Sequence, residues 1–509
     1  MPAKLEGKVA TAPPRPSRVQ PVAVSELAST VDAHLTAPDR AHVPVSGVTL
    51  RAQHVQPGDL FAALPGARAH GADFAAQAVA RGAVAVLTDE AGAAKAGDVP
   101  VLVHPDPREV LGVLASRVYG DPSTRLALFG ITGTSGKTTT SYLVDAVLRA
   151  AGRVTGLIGT VETRIAGQRL DSALTTPEAP DLHALLAVMA ERGVTDVAME
   201  VSSHALRLGR VGGVRFAVAG FTNLSQDHLD FHPDMEDYFR TKARLFDGRA
   251  ATEVVCVDTG WGRRLVTPAT ITVSTTGDAA WTASDLRVSA TGEQAFVAHG
   301  PDGLAIPVDL RLPGEFNVAN ALLAIACLHE RGIDPDAIRR GLAGVRVPGR
   351  MQRVDEGQDY AAVVDYSHKP QAVALALDAV RARSAGRIIT VLGCGGDRDT
   401  AKRPLMGEEA ARRSDVLIVT DDNPRSEDPA AIRAAMLRGA LDLPEHERGE
   451  VLEIGDRASA IRHAVSLART GDVVVVAGKG HETGQEVAGV VHPFSDVDTL
   501  TAAIREAHR

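Results

Sequence analysis

The sequence predicts an α/β protein of three domains, on three observations. The chain has 509 residues, of which 45% are hydrophobic, enough for several cores if a domain takes about 100–200 residues. From Leu126 onward, short apolar runs alternate with helical patterns, which is typical of a parallel sheet covered on both faces. The same alternation restarts after about residue 347. We therefore expect a second parallel sheet in a separate C-terminal domain.

Turn signals and changes of pattern give the predicted boundaries. Residues 1–22 contain proline and arginine but no apolar signal core, and we expect a flexible tail in a cytoplasmic protein. "GDLFAALPG" and "AVARGAVAVLTD" suggest strands around a helix within a domain at 23–122, which ends near the turn Asp121-Pro122. Residues 123–346 are predicted to form the central domain, and residues 347–509 the C-terminal domain.

Composition argues against several classes of protein. The formal net charge of -9 is unfavourable for general nucleic-acid binding, which needs a basic face. The sequence has no run of eighteen apolar residues, so we expect no stable membrane insertion. The cysteines Cys256, Cys327 and Cys394 are odd in number and widely spaced, which predicts neither a disulfide framework nor a zinc site.

The stretch "LALFGITGTSGKTTT" predicts a phosphate-binding loop between a strand and a helix. Glycines let backbone N–H groups turn inward, while Lys137 would reach phosphate oxygens and Thr138 would ligate Mg²⁺. The usual first glycine of this pattern is replaced by Ile131, so the loop belongs to a variant class. The predicted loop comprises Gly133, Thr134, Ser135, Gly136, Lys137, Thr138 and Thr139.

Three further polar sites follow apolar runs in the central region. "DVAMEVSSH" places Glu200 at a strand tip, where a carboxylate could hold Mg²⁺. "FTNLSQDHLDFH" brings four polar residues together just after another strand, namely Asp227, His228, Asp230 and His232. "YFRTKARLF" sets Lys242 among aromatic and apolar residues on a short helix. Taken singly, these groups are equally consistent with solvated loop and surface side chains.

A series of motifs, taken together, resembles the Mur ligases. The resemblance covers nearly the whole chain after the tail, is most specific in the central and C-terminal domains, and is weaker before residue 122. The motifs are GTSGKTTT, TTPE, MEVSSHAL, TNLSQDHLD, YFRTKARLF, LPGEFNVANALLA, VPGRMQRV, DYSHKP, GCGGDRDTAKRP, DNPRSEDP and GKGHETGQ.

This resemblance implies an ATP-dependent amide ligation in peptidoglycan precursor synthesis. The D-glutamyl carboxylate of UDP-N-acetylmuramoyl-L-Ala-D-Glu would take the γ-phosphoryl group of ATP, and the amine of a third amino acid would attack the acyl phosphate. The resemblance also implies a UDP-binding N-terminal α/β domain, a P-loop-type central ATPase domain with a parallel sheet, and a Rossmann-like C-terminal domain.

The resemblance also assigns site residues. The catalytic residues that it implies are Lys137, Lys242, His228 and Glu200. The ligands of Mg²⁺ that it implies are Thr138, Glu200, His228 and Lys242, and it implies that Lys242 is carbamylated by CO₂. The phosphate loop and Asn317, Arg350, Asp365 and His368 would bind ATP, whereas Thr175, Thr176, Ser202 and Arg210 would bind the UDP-sugar peptide. At Arg51-Ala52-Gln53 the chain departs from a common Asp-Ser-Arg stretch of the family, which leaves the uridine contacts open.

The third amino acid is predicted to be diaminopimelate. The segments "GCGGDRD", "TDDNPRSEDP" and "GKGHE" follow strands of one predicted sheet, so their side chains should converge on one crevice. The Arg425 guanidinium can donate two parallel hydrogen bonds to a carboxylate, and the Glu482 carboxylate can accept bonds from an ammonium. Together they suit a free amino acid head group. The predicted residues are Arg398, Asp422, Asn423, Pro424, Arg425, Gly478 and Glu482.

Two other classes of function fit the sequence less well. The tetrapeptide N-K-x-D of a GTP-driven switch is absent after the loop. A folylpolyglutamate synthetase, or a Mur ligase that adds another residue such as L-lysine, is disfavoured by the "DNPR" and "GKGHE" segments. The sequence leaves open whether the diaminopimelate is the meso or the LL isomer, and a monomer is the default expectation for the oligomeric state.

Overall fold

A computed structural model describes residues 14–66, 68–170, 174–289 and 292–507 of the chain. The described residues form two compact units. The first lies within Met1–Thr132, Gly152–Ala219 and Thr241–Thr252, and the second within Gly133–Ala151, Gly220–Arg240 and Glu253–Arg509. The predicted domain boundaries stay predictions beside this division, and residues 1–13 of the predicted tail lie outside the described residues.

The N-terminal part of the first unit is a small α/β layer structure. Strands β4 to β7 pair in parallel in chain order, and β2 joins the edge at β7 in the antiparallel sense. Helix α4 begins at a proline, and the Asp106 side chain caps it by accepting a hydrogen bond from Glu109 N. The elements are β1 (Val22–Ala23), α1 (Val24–Thr30), β2 (His34–Leu35), β3 (Pro44–Val45), β4 (Gly47–Thr49), β5 (Asp59–Ala62), α2 (Ala75–Ala80), β6 (Ala85–Thr88), α3 (Glu90–Ala93), β7 (Val101–Val103) and α4 (Pro107–Val118).

Residues 14–22, which were predicted to belong to a flexible tail, contact the first unit. The Arg15 guanidinium forms a two-pronged pair with the buried Asp59 carboxylate at 2.6 and 2.9 Å. The backbone N–H groups of Ser17 and Arg18 donate to the Glu191 carboxylate at 2.9 and 3.0 Å. A buried carboxylate needs a partner, and Arg15 supplies it for Asp59.

The central part of the chain begins with β8 and alternates strands with helices. Its elements are β8 (Ala127–Thr132), α5 (Lys137–Ala150), β9 (Thr155–Ile158), β10 (Thr163–Ile165), β11 (Gln168–Leu170), α6 (Ala179–Glu191), β12 (Asp196–Glu200), α7 (Ser203–Arg207), β13 (Phe216–Phe221), α8 (Met235–Ala243), β14 (Ala250–Cys256), α9 (Gly260–Arg263), β15 (Ile271–Ser274), β16 (Trp281–Val288), β17 (Gln294–His299), β18 (Ala305–Leu310), α10 (Phe316–His329) and α11 (Pro335–Ala343).

The predicted parallel pairing is found beside the phosphate loop. In the first unit β12 is parallel to both β8 and β9, and its five residues are all buried. In the second unit β14 is parallel to β15, and β15 to β16.

Antiparallel strands, which the sequence analysis did not predict, extend both parts. They are β10 and β11 in the first unit and β17 and β18 in the second. Strand β18 alternates exposed and buried residues, as expected for a sheet with one face toward solvent.

The C-terminal part is a second parallel sheet, as predicted. Strands β20, β24, β21, β22 and β23 lie side by side in that order, and each neighbouring pair is parallel. Strand β23 was not predicted because its sequence EVLE is short and charged, which suits its position at the edge. The elements are β19 (Gln352–Arg353), β20 (Ala361–Asp365), α12 (Pro370–Arg381), β21 (Ile388–Leu392), α13 (Lys402–Arg413), β22 (Val416–Val419), α14 (Pro429–Leu441), β23 (Glu450–Glu453), α15 (Arg457–Leu467), β24 (Val473–Ala477), β25 (Gly484–Val487), β26 (Val490–Pro493) and α16 (Asp496–Ala507).

Apolar side chains from the two faces of this sheet form two clusters, one against helices α12 to α14 and the other against α15 and α16. The carboxyl ends of its strands are therefore rigidly placed. None of the described helices is both long enough and apolar enough to cross a membrane.

Candidate active site

The phosphate loop is a tight turn between β8 and α5. Gly133 and Gly136 have φ angles of +146° and +87°, a region that glycine tolerates and other residues rarely adopt. A Cβ atom at Gly136 would also clash with the side-chain amide of Asn320. Lys137 Nζ donates to the carbonyl oxygens of Gly133 and Thr134 at 2.8 and 3.1 Å. The turn thus places an ammonium at the start of α5, where a helix favours an anion.

The segment that follows β13 holds this loop in place. Thr134 N donates to Asn223 O at 2.9 Å, and Ser135 N donates to Asn223 Oδ1 at 3.0 Å. Thr222 Oγ1 donates to Ser135 O at 2.6 Å. The conformation of the phosphate loop therefore depends on the "TNLS" segment, which begins the motif TNLSQDHLD but was not predicted to be part of the site.

Asp227 lies in a charged cluster beside the same loop. Its carboxylate is 2.7 Å from Lys369 Nζ and 3.1 Å from His228 Nε2, and Lys369 Nζ also donates to Thr134 O at 3.1 Å. Burial alone would raise the pKa of Asp227, but the neighbouring charges of Lys369 and His228 hold this pKa well below its ordinary value. Asp227 is therefore an anion at neutral pH, and Lys369 ties it to the phosphate loop.

Arg350 and Asn317 are two of the predicted nucleotide contacts. Arg350 Nη2 donates to Thr138 Oγ1 at 3.1 Å, and its guanidinium lies 4.4 Å from the centre of the Tyr366 ring. Asn317 Nδ2 donates to Pro313 O at 2.7 Å, while its Oδ1 accepts a bond from Asn320 at 3.0 Å. Both side chains thus belong to the network around the start of α5.

Asp365 and His368 follow strand β20. The Asp365 carboxylate accepts the backbone N–H groups of Met351 and Ser367 at 2.7 and 2.8 Å, which fixes the chain near Arg350. His368 is half-buried, and its removal from solvent, with the nearby charge of Lys402, lowers its pKa well below the ordinary value. The imidazole is therefore neutral at pH 7 and can offer one donor and one acceptor.

In the first unit, Glu200 is fixed by Thr160. Its Oε1 accepts a bond from Thr160 N at 2.7 Å and its Oε2 one from Thr160 Oγ1 at 3.1 Å. Thr160 Oγ1 is also 3.0 Å from Thr175 Oγ1, and Thr176 Oγ1 donates to Glu200 O at 2.8 Å. These bonds join the tip of β12 to the "TTPE" segment.

Arg210 and Ser202 extend this network. Arg210 Nη2 is 2.8 Å from Glu178 Oε1, and Arg210 Nη1 donates to Thr176 O at 3.3 Å. Ser202 Oγ caps helix α7 by accepting a bond from Ala205 N at 3.1 Å. The structure thus brings together all four residues that were predicted to bind the UDP-sugar peptide.

The fit of Mg²⁺ rests on oxygen ligands. Among the described residues, no three His, Cys, Asp or Glu side chains form a group that could hold a metal ion. Mg²⁺ does not need such a group, because it usually binds through one or two carboxylates, waters and substrate phosphates. Glu200 is buried and its carboxylate is oriented by Thr160, so this carboxylate fits a site for the ion.

A polar cluster lies after the carboxyl ends of strands β22 and β24. Asn423 Nδ2 donates to Glu482 Oε2 at 2.8 Å, and Lys479 Nζ lies 2.9 Å from the same oxygen and 3.0 Å from Asn423 Oδ1. Asp422 Oδ1 is 3.7 Å from Lys479 Nζ. A Cβ atom at Gly478 would lie 2.7 Å from the Asp422 carboxylate. Four predicted residues thus meet here, around a lysine that was not predicted.

Arg425 lies beside this cluster. Its Nη1 donates to Gly396 O at 2.6 Å, its Nε is 3.4 Å from a Glu486 carboxylate oxygen, and its backbone N–H donates to Glu486 O at 3.0 Å. Pro424 passes so close to Gly396 that a Cβ atom there would clash with the Pro424 carbonyl oxygen. Arg398, in contrast, is exposed and donates to the carbonyl oxygen of its neighbour Asp397.

The chain is similar to known proteins over most of its length. Three families match the chain: "Mur ligase family, catalytic domain" over residues 44–119, "Mur ligase middle domain" over 131–328, and "Mur ligase, glutamate ligase domain" over 349–480. A Streptomyces coelicolor protein named UDP-N-acetylmuramoyl-L-alanyl-D-glutamate--2,6-diaminopimelate ligase is 53% identical over 503 residues, which are 97% of this chain and 98% of the relative.

The chain belongs to the Mur ligase family. A Corynebacterium glutamicum relative with the same name is 56% identical to this Mur ligase over 460 residues, covering 88% of this chain and 89% of the relative. A solved structure, also of a protein so named, shares 32% identity with a TM-score of 0.67 and covers 96% of this chain and all of that one. The predicted family and three-domain α/β fold are therefore confirmed.

Sequence reasoning missed several polar residues of this Mur ligase. Thr160, Lys369 and Lys479 each contact a residue that was predicted for the site, namely Glu200, Thr134 and Glu482. Lys369 and Lys479 belong to the motifs "DYSHKP" and "GKGHETGQ". Each lysine closely follows an apolar strand, and this position is a sequence signal that could have identified them. Thr160 follows β9 without a comparable signal, because a threonine after a strand is ordinary loop chemistry.

Proposed function

We propose that this Mur ligase joins diaminopimelate to UDP-N-acetylmuramoyl-L-alanyl-D-glutamate with consumption of ATP, as a step in peptidoglycan precursor synthesis. Near full-length relatives with 53% and 56% identity carry the name of that ligase. The D-glutamyl carboxylate would take the γ-phosphoryl group of ATP, which forms an acyl phosphate and releases ADP. The amine of diaminopimelate would then displace phosphate, with loss of a proton, to leave an amide.

One observation carries the choice of amino acid. Asn423 and Glu482 are bonded to each other at 2.8 Å, next to a loop in which Arg425 is held by its backbone and side chain. A zwitterionic head group needs a cation for its carboxylate and an anion for its ammonium. Diaminopimelate carries such a head group at its far end, whereas L-lysine carries an amine alone. Asp422, Pro424, Gly478 and Arg398 complete the proposed diaminopimelate set.

Phosphoryl transfer is proposed to occur at the phosphate loop. Residues 133–139 would hold the phosphates of ATP, with Lys137 as the main protein cation, and positioning with electrostatic stabilisation supplies most of the catalysis in such reactions. Asn317, Arg350, Asp365 and His368 are proposed to bind the rest of the nucleotide. The bond from Arg350 to Thr138 and the neutral state of His368 support these roles.

We propose Thr138, Glu200, His228 and Lys242 as ligands of Mg²⁺, which would supply charge neutralisation at the phosphates when bound. The Lys242 side chain is 1% exposed. Reaction of its neutral amine with CO₂ would form a carbamate and release a proton, which converts the side chain into an anionic oxygen ligand. Glu200 is also proposed to be catalytic, with its carboxylate held by Thr160.

The UDP-sugar peptide is proposed to contact Thr175, Thr176, Ser202 and Arg210. Hydroxyl groups and a guanidinium suit its phosphate, amide and carboxylate groups, and these four residues share one hydrogen-bonded network. We further propose that the enzyme works in the cytoplasm as a monomer, without nucleic acid or stable membrane insertion.

The test of this function is a dependence assay. Phosphate release from ATP should require both the UDP-sugar dipeptide and diaminopimelate, and the product should have the mass of the tripeptide. Meso- and LL-diaminopimelate and L-lysine are offered separately. Release that needs neither compound, or a product that forms with a folate or with L-lysine alone, would overturn the proposed function.

A further inference from the structure

Lys479 is a buried cation between Asn423 and Glu482, which are two of the residues proposed to recognise the amino acid. Gly478 and Gly480 flank it with φ angles of +113° and +55°, both in the region that favours glycine. This turn directs the lysine into the protein, where it is 0% exposed. Lysine is almost never fully buried unless it is paired, so its contacts define what it does.

Those contacts fix the orientation of the Asn423 side chain. Its Oδ1 accepts bonds from Lys479 Nζ at 3.0 Å and from Glu486 N at 2.9 Å. Two donors on one side require the oxygen there, and therefore turn the amide NH₂ toward Glu482, 2.8 Å away. An asparagine whose amide was reversed would lose both bonds.

The same arrangement gives the two carboxylate oxygens of Glu482 different hydrogen-bond partners. Lys479 Nζ and Asn423 Nδ2 both bond to Oε2. Within the part of the chain that the structure describes, no hydrogen bond to Oε1 is found, and the residue is half-buried. Oε1 is therefore the oxygen that can accept a hydrogen bond from the ammonium group of a ligand.

Lys479 also sets the charge of this cluster. Asp422 and Glu482 carry two negative charges, and Lys479 Nζ lies 3.7 and 2.9 Å from their oxygens. The buried Arg457 also acts on both carboxylates, but its guanidinium is paired with Asp496, so Lys479 is the cation that offsets one of the two charges. Without the lysine the cluster would attract a bare ammonium more strongly, because attraction grows with the local negative charge. With it, one net negative charge remains on the two carboxylates beside the cationic Arg425, and this balance suits a ligand that carries both charges.

We propose that Lys479 is a positioning residue for the amino acid substrate and a determinant of the preference for a zwitterionic head group over a bare amine. It acts through Asn423 and Glu482 and does not touch the reacting atoms. This role rests on the proposed function, since it concerns the same amino acid site.

The test compares Lys479→Met and Lys479→Gln with wild type. Lys479→Met removes both the charge and the bonds, so the KM for diaminopimelate should rise about 10- to 100-fold, as for lost bonds to charged groups. The KM values for ATP and the UDP-sugar dipeptide should stay within about threefold of wild type, because the cluster contains none of the residues proposed to bind those two substrates.

Selectivity separates this role from a structural one. The ratio of kcat/KM for diaminopimelate to that for L-lysine should fall at least tenfold in both variants, since both lose the positive charge. Lys479→Gln keeps a donor for Asn423, and its KM for diaminopimelate should lie between those of wild type and Lys479→Met. This variant also keeps the test open if Lys479→Met does not fold.

Lys95→Met is the control, because Lys95 forms an exposed ion pair with Asp73 in the other unit. An equal rise in all three KM values, or an unchanged selectivity ratio in folded variants, would overturn the role of Lys479. If wild type itself does not ligate diaminopimelate, the proposed function fails first and the proposal for Lys479 fails with it. If wild type is selective and the variants match it, only the proposal for Lys479 fails.

Discussion

Replacing Lys369 by methionine should destabilise the second unit by leaving a buried carboxylate poorly paired. Asp227 and Lys369 are 8% and 12% exposed, and their charged atoms are 2.7 Å apart. Breaking a buried pair from one side costs about 3–5 kcal/mol. We expect about 3 kcal/mol, at the lower end of that range, because His228 Nε2 remains 3.1 Å from the carboxylate.

The loss should depend on pH in a defined direction. The folded-state pKa of Asp227 lies below its ordinary value, so its ion pair stabilises wild type fully above the unfolded pKa, near 3.9. This stabilisation declines as the pH falls below about 5 and is lost as the pH falls through the folded-state pKa. The difference between wild type and Lys369→Met should therefore be largest near pH 7 and smaller at pH 3.

Intrinsic fluorescence can measure this loss, because both tryptophans, Trp261 and Trp281, lie in the second unit. Urea unfolding is followed at pH 7 and at lower pH. Lys402→Met is the matched control: Lys402 Nζ donates to His368 O at 2.9 Å and forms no ion pair with a described residue, so its loss should cost about 1 kcal/mol. A loss below about 1 kcal/mol for Lys369→Met, or one independent of pH, would refute the reasoning.

Three further predictions concern the chemistry. Lys137→Ala should lower kcat/KM for ATP by about 10³-fold or more, measured as ADP formation, because the phosphoryl group loses its main protein cation; activity within tenfold of wild type would contradict the loop assignment. Gly136→Ala should give a similar loss, since the residue has φ +87° and its Cβ would clash with Asn320; full activity would show that the loop tolerates the change. Lys242→Ala should lose most activity and regain part of it with acetate or formate, and an intact mass without a carbamate in wild type would count against that role.

Much of the fold was predictable because parallel strands buried on both faces give continuous apolar runs. "DVLIVT" and "DVVVVA" became β22 and β24 for this reason. The exposed edge strand β23 and the antiparallel β18 were missed, since solvent-facing strands contain polar residues that resemble loops. Local pattern is a good guide to burial and a weaker one to sheet edges.

Some residues of the candidate site could be predicted from the sequence, and others could not. Residues at strand ends in one sheet, such as Asn423 and Glu482, were predicted together because topology brings carboxyl ends to one edge. Thr160 and Lys369 owe their roles to contacts with distant segments, at 2.7 Å from Thr160 N to Glu200 and at 3.1 Å from Lys369 to Thr134. No local pattern encodes such contacts.

The most direct test of diaminopimelate ligation is a comparison of kcat/KM for meso-diaminopimelate, LL-diaminopimelate and L-lysine in wild type and Arg425→Ala. L-lysine would leave Arg425 without a carboxylate partner, and sites built around such a polar contact reject analogues by up to about 10⁴-fold. We expect strong rejection of L-lysine by wild type and a collapse of that preference in Arg425→Ala. Use of L-lysine by wild type within about tenfold of either diaminopimelate isomer would contradict the assignment of the substrate.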